Sequence, residues 1–471
     1  MSSNSSGWRA PGAILLLSCY ELGHQPLGTA WAAGALERAG FAPAQVDLAR
    51  TPLDPAFVER ARVVAISVPM HTALRLGART ADGIRARNPG VPICLYGLYA
   101  WLNAEHLLAR HADVVMGGEV EASLVAWVED LECGGAGDAP GVWRRGGPAM
   151  PPIMRKGSFG PPSRAGLPAL AAYARYVRGD DMVLAGYVEA SRGCLHTCLH
   201  CPIPPVYAGR FFVVPADVVL ADIRTLIAAG ARHITFGDPD FLNGPGHALR
   251  LARALHDEFP DITFDFTAKI EHLLAHRALL PALGKLGCTF IVSAVESLSD
   301  VVLARLEKGH TRADVGQAVA ALRGAGIALR ASLVAFTPWT TIDDYLDVLE
   351  FFGDADGAGA VDPVQYAIRL LVPPGSALLS RPWMQEHLGA LDPAGFTFRW
   401  THPDPRMDDL YRSVQEIVAR GTADQAPGHE IVAAIRDAAV AVRDGRPPNH
   451  RRPPPLAPRL QSPRLTEPWF C

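Results

Sequence analysis

Three cysteines in one short loop restrict this 471-residue chain more than any other feature of its sequence. The loop reads Ser191-Arg-Gly-Cys-Leu-His-Thr-Cys-Leu-His-Cys-Pro202, and it places Cys194, Cys198 and Cys201 in a CxxxCxxC spacing. Three thiolates at this spacing suit a [4Fe–4S] cluster, because cysteine thiolates are the usual protein ligands of such clusters. The fourth iron then has no protein ligand, so the loop predicts an iron that can bind a small molecule directly.

Two other interpretations of the loop compete with a cluster. A structural zinc site usually combines paired cysteines with a fourth cysteine or histidine, and His196 and His200 are the candidates for that ligand. A single CxxxCxxC is poor zinc spacing. The second alternative is a chance group of three unligated thiols, which would be odd in a reducing compartment. The spacing therefore favours the cluster.

The loop follows the first of six apolar runs that alternate with helical patterns. This order predicts a partial (β/α)6 barrel, with the cysteines at the carboxyl end of the first strand, where barrels keep their active sites. The predicted strands cover residues 183–188, 233–236, 263–268, 289–294, 329–335 and 365–370.

An earlier series of alternating patterns predicts a doubly wound, Rossmann-like α/β domain over residues 1–132. A Gly- and Pro-rich linker is expected over 133–168, the barrel over 169–385, and a helical region with a Pro-rich tail over 386–471. In doubly wound folds ligands collect beyond the carboxyl ends of the strands. The loops there are expected to line a pocket or to hold only turn and helix-cap residues; they are 20–24, 69–72, 97–100 and 117–119.

The composition favours a small-molecule partner. The formal net charge is -4 and 20% of residues are charged, so no broad basic field supports binding to nucleic acid or to an anionic membrane. No run of residues predicts a transmembrane span or a signal peptide, and the cysteines outside the loop are scattered. We therefore expect a cytoplasmic protein in a reducing compartment.

Together the cysteine loop and the barrel pattern resemble the radical SAM superfamily. The resemblance implies that S-adenosylmethionine (SAM) chelates the open iron through its amino and carboxylate groups. An electron from the cluster then breaks a carbon–sulfur bond of the sulfonium, and a reductase, flavodoxin or ferredoxin would be the electron donor. The protein supplies orientation and a dry pocket.

The resemblance also assigns residues to SAM. Gly237, Asp238 and Pro239 lie in the turn after the second strand, where the superfamily contacts the SAM amino group. Glu296 lies in a Val-Glu-Ser turn after the fourth strand and is expected to bind the ribose hydroxyls. Ser332 in the fifth strand is a further candidate, although such serines often bond only to the backbone.

One position departs from the superfamily. The residue before the third cysteine is usually aromatic and stacks near the adenine, whereas here it is His200. An imidazole can still stack, so His200 is kept as a cofactor-binding candidate.

The N-terminal domain resembles the cobalamin-binding domain that precedes many radical SAM barrels. The Asp-x-His-x-x-Gly sequence that would supply a lower axial histidine is absent, and His24 and His71 stand in other contexts. The domain is therefore expected either to bind cobalamin without that ligand or to serve as a packing or substrate-binding lobe.

Seven segments resemble the radical SAM proteins whose tail reads Cys-Sec-Ala-Glu-Pro or Cys-Cys-Ala-Glu-Pro. This chain stops at Cys471, and we hypothesise that a UGA selenocysteine codon was read as a stop. A vicinal pair of soft thiolate or selenolate ligands suits trivalent arsenic, so Cys471 is the catalytic candidate. The segments are 20–23, 70–72, 96–99, 236–241, 308–311, 336–340 and 466–471.

This group includes enzymes similar to those of arsinothricin biosynthesis, so three functions are expected. The leading one is transfer of the 3-amino-3-carboxypropyl group of SAM to trivalent arsenic. The alternatives are a cobalamin-dependent radical methylase acting on a natural product, and a non-catalytic iron–sulfur protein.

Overall fold

The computed structural model describes residues 7–154, 159–353, 360–446 and 463–467. The first part of the chain forms a sheet with helices on both faces, because its strands are apolar on both sides and bury both. The strands are β1 (Ile14–Ser18), β2 (Ala44–Asp47), β3 (Val63–Ser67), β4 (Ile93–Tyr96), β5 (Val114–Met116) and β6 (Trp143–Arg144). The helices are α1 (Leu27–Arg38), α2 (Pro55–Arg60), α3 (His71–Arg87), α4 (Leu98–Leu102), α5 (Ala104–Arg110) and α6 (Glu121–Glu132).

The strand order of this sheet is β2-β1-β3-β4-β5-β6. Strands β1 to β5 are parallel, as predicted, and the order reverses between β1 and β3, the position at which doubly wound folds bind ligands. Strand β6 is antiparallel to β5 and comes from the segment expected to be a linker. Trp143 packs this strand onto the core although no alternation predicts a strand there.

A second sheet has the strand order β14-β13-β12-β11-β8-β7-β17, and β8 with β11 to β14 are its parallel strands. Two short antiparallel pairs, β9 with β10 and β15 with β16, lie outside it. The strands are β7 (Arg175–Arg178), β8 (Asp181–Val188), β9 (Ser191–Gly193), β10 (Phe211–Val213), β11 (His233–Phe236), β12 (Thr263–Thr267), β13 (Cys288–Glu296), β14 (Ala328–Leu333), β15 (Leu388–Asp392), β16 (Thr397–Trp400) and β17 (Arg464–Leu465).

The helices that accompany this sheet are α7 (Ile203–Tyr207), α8 (Ala216–Ala228), α9 (Pro245–Glu258), α10 (Ile270–Ala275), α11 (Leu280–Lys285), α12 (Asp300–Arg305), α13 (Arg312–Gly324), α14 (Ile342–Gly353), α15 (Pro382–Gln385), α16 (Pro405–Ala423) and α17 (Gly428–Arg443). The apolar faces of α16 and α17 join the barrel core through buried residues such as Leu410 and Ile435. The predicted α/β class, with a partial barrel and a helical C-terminal region, is confirmed. Among the described helices none is long and apolar enough to cross a membrane.

The sixth barrel strand predicted over residues 365–370 is wrong. Residues Pro363–Ala367 form a 3-10 turn, followed by a single bridge pair to the loop after β14. Pro363 favours the turn because its ring fixes φ and it has no N–H for a ladder. The Gln365 side chain accepts a hydrogen bond from the N–H of Leu333 at 2.9 Å, where a neighbouring strand would supply a carbonyl.

The C-terminal segment lies against the open edges of the barrel sheet. Strand β17 pairs with β7, and the Thr466 hydroxyl accepts the N–H of Arg175 at 2.9 Å. A small cleft lined by Ser332 separates β17 from the opposite edge strand, β14. Glu467 continues to the N-terminal domain, where its carboxylate lies 3.7 Å from Arg50. One tail segment therefore contacts both domains.

A buried ionic network joins the two sheets. The Arg192 guanidinium follows the first barrel strand and contacts Glu189 at 3.1 Å, Glu119 at 3.2 Å and Glu121 at 2.6 Å. Glu119 also accepts the hydroxyl of Tyr207 at 2.9 Å. Burial raises the pKa of Glu119 to about 7, although the Arg192 charge opposes the rise. One cation thus contacts three carboxylates between the two sheets.

Glu21 caps helix α1 from the loop after β1. Its Oε1 accepts the N–H of Leu27 at 2.8 Å, while its Oε2 is buried without a hydrogen-bond partner among the described residues. Burial raises the pKa of Glu21 to about 8. Glu21 in this loop is therefore a helix-capping residue, and the loop also lines the cavity described below.

The Glu21 carboxyl predicts a loss of stability as the pH rises. The folded chain keeps a proton that the unfolded chain releases above its ordinary pKa of 4.5, so stability falls between about pH 4.5 and about pH 8. We expect Glu21→Gln to remove a decline of roughly 3 to 4 kcal/mol in the free energy of unfolding between pH 5 and pH 8. Denaturant titrations at pH 5, 6.5 and 8 measure this, with Glu59→Gln, whose side chain is 62% exposed, as the control. Parallel pH profiles for wild type and Glu21→Gln would contradict the prediction.

Candidate active site

The cysteine loop lies at the carboxyl end of the first barrel strand, as predicted. Its backbone is held by neighbouring loops: the N–H of Leu199 donates to the carbonyl of Leu306 at 3.0 Å, and the N–H of Leu195 donates to Asn243 Oδ1 at 3.2 Å. Cys198 is buried, and Cys194 and Cys201 are partly covered. The three cysteines are therefore presented from one fixed loop at the barrel mouth.

The environment of these thiols suits a cluster better than a single ion. Burial raises the pKa of Cys194, and it raises that of Cys201 to about 12, so both thiols stay protonated until a metal displaces the proton. Among the described residues the three thiols do not form a group close enough to hold one ion. A cluster spans wider separations, because its sulfides and irons lie between the cysteine sulfurs. The donor set therefore fits a [4Fe–4S] cluster.

Glu296 is a buried carboxylate at the same end of the barrel. It ends β13 in the left-handed region with φ of 63°, a conformation that costs a non-glycine residue free energy and is common at functional sites. Its Oε1 accepts Lys308 Nζ at 3.1 Å and lies 3.2 Å from His200 Nε2. Burial opposes ionisation, but the Lys308 charge and the His200 contact outweigh it and lower the pKa of Glu296 to about 2. A permanently charged acceptor thus faces the site.

Two polar atoms beside this carboxylate and the cysteine loop have no partner. His200 Nδ1 and Asn243 Nδ2 are buried without a hydrogen bond in the described part of the chain. Unpaired buried polar atoms are costly, and they are common where a ligand supplies the missing partner. The Glu296 carboxylate offers a hydrogen-bond acceptor to a molecule such as SAM, and His200 Nδ1 and Asn243 Nδ2 offer two further polar atoms. The residues present therefore fit that cofactor.

The other SAM candidates have different settings. Gly237 packs against Tyr187 so closely that an added Cβ would lie 2.2 Å from the ring, so this position requires glycine. Asp238 is buried and accepts the N–H of Ala190 at 2.8 Å and the Ser191 hydroxyl, which ties the turn to the start of the cysteine loop. Pro239 is half-buried beside it.

The remaining two candidates are Ser332 and Cys471. Ser332 lines the cleft between β14 and β17, as described above. Cys471 lies outside the described residues, and its predicted role stays a prediction.

Two residues near the site have roles that sequence reasoning missed. Lys308 pairs with Glu296, and it stands in a segment singled out only for its resemblance. His272 approaches Asp240 to 2.9 Å and His196 to 3.4 Å at the barrel mouth. Their place in the sequence could have indicated these roles. Both residues follow barrel strands, and the carboxyl ends of parallel strands meet at one edge of the sheet.

The carboxyl edge of the N-terminal sheet is largely filled by the chain's own residues. The His24 ring stacks on Tyr187 with centroids 4.1 Å apart, and Glu119 is bonded to the barrel. A cavity of about 300 Å3 remains beside Glu21, with Glu467 of the tail in its wall. That volume is at the lower limit for a drug-sized ligand, and cobalamin is much larger. Among the described residues this cavity alone is therefore too small for the whole of cobalamin.

Residues 188–352 match the sequence family described as the radical SAM superfamily. This stretch includes the cysteine loop, Glu296 and Lys308. The chain therefore contains a radical SAM domain, and such a domain implies a [4Fe–4S] cluster and SAM.

The curated relatives match the same part of the chain. The ribosomal protein uS12 methylthiotransferase RimO of Geobacter sulfurreducens is 30% identical over 179 residues, which are 36% of this chain and 40% of RimO. The tRNA-2-methylthio-N(6)-dimethylallyladenosine synthase of Parafrankia sp. is 27% identical over 52% of this chain and 51% of its own. The chain thus spans about half or less of each. These relatives are enzymes, and the radical SAM domain is an enzyme domain. The alternative of a non-catalytic iron–sulfur protein is therefore not supported.

Solved structures extend the similarity of fold to both domains. The cobalamin-dependent SAM radical enzyme OxsB, with aqua-cobalamin bound, has a TM-score of 0.68 and 15% identity, covering 87% of this chain and 67% of OxsB. The radical SAM methyltransferase TsrM from Kitasatospora setae, with cobalamin and a [4Fe–4S] cluster, has a TM-score of 0.63 and 17% identity, covering 91% and 89%. The chain therefore has the fold of cobalamin-dependent radical SAM enzymes.

Proposed function

We propose that this protein cleaves SAM at a [4Fe–4S] cluster held by Cys194, Cys198 and Cys201 and transfers a SAM-derived fragment to a small-molecule acceptor. The observation that carries the proposal is the set of three thiols at the barrel mouth beside the charged carboxylate of Glu296. When bound, the cluster supplies the electron that breaks a carbon–sulfur bond of SAM.

The chain's residues position the cofactor and exclude water. Glu296, kept ionised by Lys308, accepts hydrogen bonds from the ribose hydroxyls, and His200 is oriented towards the adenosine by its contact with the same carboxylate. Gly237 and Pro239 lie in the turn that presents backbone groups to the SAM amino group. Asp238 accepts a hydrogen bond from the N–H of Ala190 and thereby holds this turn in position.

The acceptor we propose is trivalent arsenic, which would receive the 3-amino-3-carboxypropyl group as a carbon radical. Loss of one electron from the arsenic would then replace the electron used to break the carbon–sulfur bond, so the product is a pentavalent arsenical. This choice rests on the sequence resemblance of the tail, in which Cys471 would supply a soft thiolate ligand to a soft electrophile. The described part of the tail supports the idea in one respect. Strand β17 and Glu467 run along the barrel edge and onto the loop after β1, so this segment is held close to both domains.

The products test the proposal. The reconstituted protein, incubated with SAM, a reductant and arsenite, is expected to form an amino-carboxypropyl arsenical and methylthioadenosine in equal amounts. A chain extended by a second cysteine after Cys471 is expected to form more of both, because the added residue creates a vicinal pair of thiols. Omission of arsenite is the control for uncoupled SAM cleavage. Absence of methylthioadenosine under every condition would rule out this transfer.

A second candidate is cobalamin-dependent methylation of a natural product, and the similarity of fold to OxsB and TsrM favours it. It predicts 5′-deoxyadenosine and S-adenosylhomocysteine as products, and cobalamin that copurifies with the protein. The filled edge around His24 and Tyr187 argues against it. The same chromatographic assay separates the two candidates.

A further inference from the structure

A group of two histidines and one carboxylate stands at the barrel mouth apart from the cysteines. His196 comes from the cysteine loop, Asp240 from the loop after β11, and His272 from helix α10 after β12. Three successive loops thus contribute one side chain each. Asp240 is buried, and the two rings are about six-sevenths buried, with exposed fractions of 15% for His196 and 14% for His272.

The three facing atoms have the separations of a metal site. His272 Nδ1 lies 2.9 Å from Asp240 Oδ2 and 3.4 Å from His196 Nε2, and His196 Nε2 lies 3.7 Å from Asp240 Oδ2. Ligand bonds of about 2.1 Å in a tetrahedral site place ligand atoms about 3.4 Å apart. The observed separations bracket this value, so small side-chain movements would centre an ion.

The backbone holds the carboxylate in place for this role. Asp240 Oδ1 accepts the N–H of Leu242 at 2.9 Å, and its Oδ2 accepts the N–H of Lys269 at 3.1 Å. Hydrogen bonds of this kind orient metal-binding carboxylates in known sites. The group is therefore organised before any ion binds.

We propose that His196, Asp240 and His272 bind a divalent transition-metal ion, such as Zn2+, Fe2+ or Co2+, next to the cysteine loop. Two imidazoles and one carboxylate are a ligand set that such ions prefer. Three protein ligands also leave a coordination position open, which an oxygen donor of a small molecule can fill. This site is independent of the proposed transfer reaction.

Lys269 and Glu271 control the occupancy of this site. Lys269 Nζ lies 3.2 Å from His196 Nδ1 and 2.8 Å from Glu271. While the ammonium donates to Nδ1, the hydrogen of the His196 ring is on Nε2, which blocks that ligand atom. Binding of an ion requires the other tautomer, with Nδ1–H directed at Glu271, which lies 3.7 Å away. Lys269 therefore competes with the ion, and Glu271 favours it.

Co2+ binding to the cluster-reconstituted, full-length protein tests the site. The oxidised [4Fe–4S] cluster occupies the cysteines and gives no electron paramagnetic resonance signal, so high-spin Co2+ can be titrated in its presence. We expect one Co2+ per chain in the wild type. In His272→Ala and Asp240→Asn we expect the affinity for Co2+ to fall more than about 100-fold, which exceeds the effect of replacing a residue that contacts only a ligand. His429→Ala, a change at an exposed histidine, is the matched control and is expected to bind as the wild type does.

Two further variants keep the test independent of folding. Lys269→Met is expected to bind Co2+ more tightly than the wild type, a gain that a misfolded variant would not give, and Glu271→Gln is expected to bind about tenfold more weakly. An unchanged cluster absorbance confirms that each variant is intact. Equal affinities of the wild type and His272→Ala, or no bound Co2+ in the wild type, would overturn the proposal. Because the readout is binding, neither result bears on SAM cleavage.

Discussion

Replacing Cys198 with alanine is expected to leave the reconstituted protein without its cluster absorbance and to reduce SAM cleavage to background. Cys198 is the buried member of the three cysteines, and two thiolates cannot replace three in holding the cluster. Iron content is expected to fall from about four atoms per chain to about zero. Iron analysis, the visible spectrum and the rate of SAM consumption measure the effect.

The control for this substitution is Cys133→Ala, which changes an exposed cysteine outside the loop. It is expected to keep the iron content and the rate of the wild type. Circular dichroism of Cys198→Ala before reconstitution checks that the chain remains folded, since removal of one sulfur from this loop creates little cavity. Wild-type turnover by Cys198→Ala would contradict the proposed role of the loop.

Replacing Arg192 with methionine is expected to lower the free energy of unfolding by about 3 kcal/mol. The side chains of Arg192 and Glu119 are 10% and 4% exposed, so the change leaves a buried carboxylate without its cation. Glu121 and Glu189 lose the same partner. The loss of unfolding free energy is expected to be smaller at pH 6 than at pH 8, because at pH 6 the buried carboxyls can take up protons. Denaturant titrations at the two pH values measure it.

Arg224→Met is the matched control for this change. The Arg224 guanidinium contacts Glu258 at 2.6 Å, but their side chains are 50% and 36% exposed, so the loss of this contact is expected to change the stability far less than the loss of Arg192 does. Similar losses for Arg192→Met and Arg224→Met would mean that the buried network contributes no more than a surface ion pair.

Most of the fold could be predicted because the parallel strands are buried on both faces and give continuous apolar runs. The barrel strands His233–Phe236 and Thr263–Thr267 lie where these runs predict them. The short strands β6 and β17 have two residues each and depend on a neighbour for pairing, so no periodicity marks them. The strand predicted over residues 365–370 was wrong because an apolar pattern is present there without a strand. That pattern does not reveal that Pro363 starts a turn.

The site was predictable where its residues are adjacent in sequence and not where separate loops meet. The spacing of the cysteine triplet predicts its chemistry directly. The pairing of Lys308 with Glu296 and the approach of His272 to Asp240 arise from packing of loops after different strands. Position at the carboxyl ends of strands predicts that such residues share an edge but not which of them touch.

The pairing of β17 with β7 has a consequence for how the chain folds during synthesis. Arg175 and Thr466 are separated by 291 residues, so β7 leaves the ribosome long before its partner strand exists. Loop-closure entropy grows only slowly with length, so the late contact costs little stability, but such distant pairing is slow. Until it forms, β7 is an unpaired edge open to other chains. Aggregation of nascent or shortened chains is therefore expected to begin at this edge.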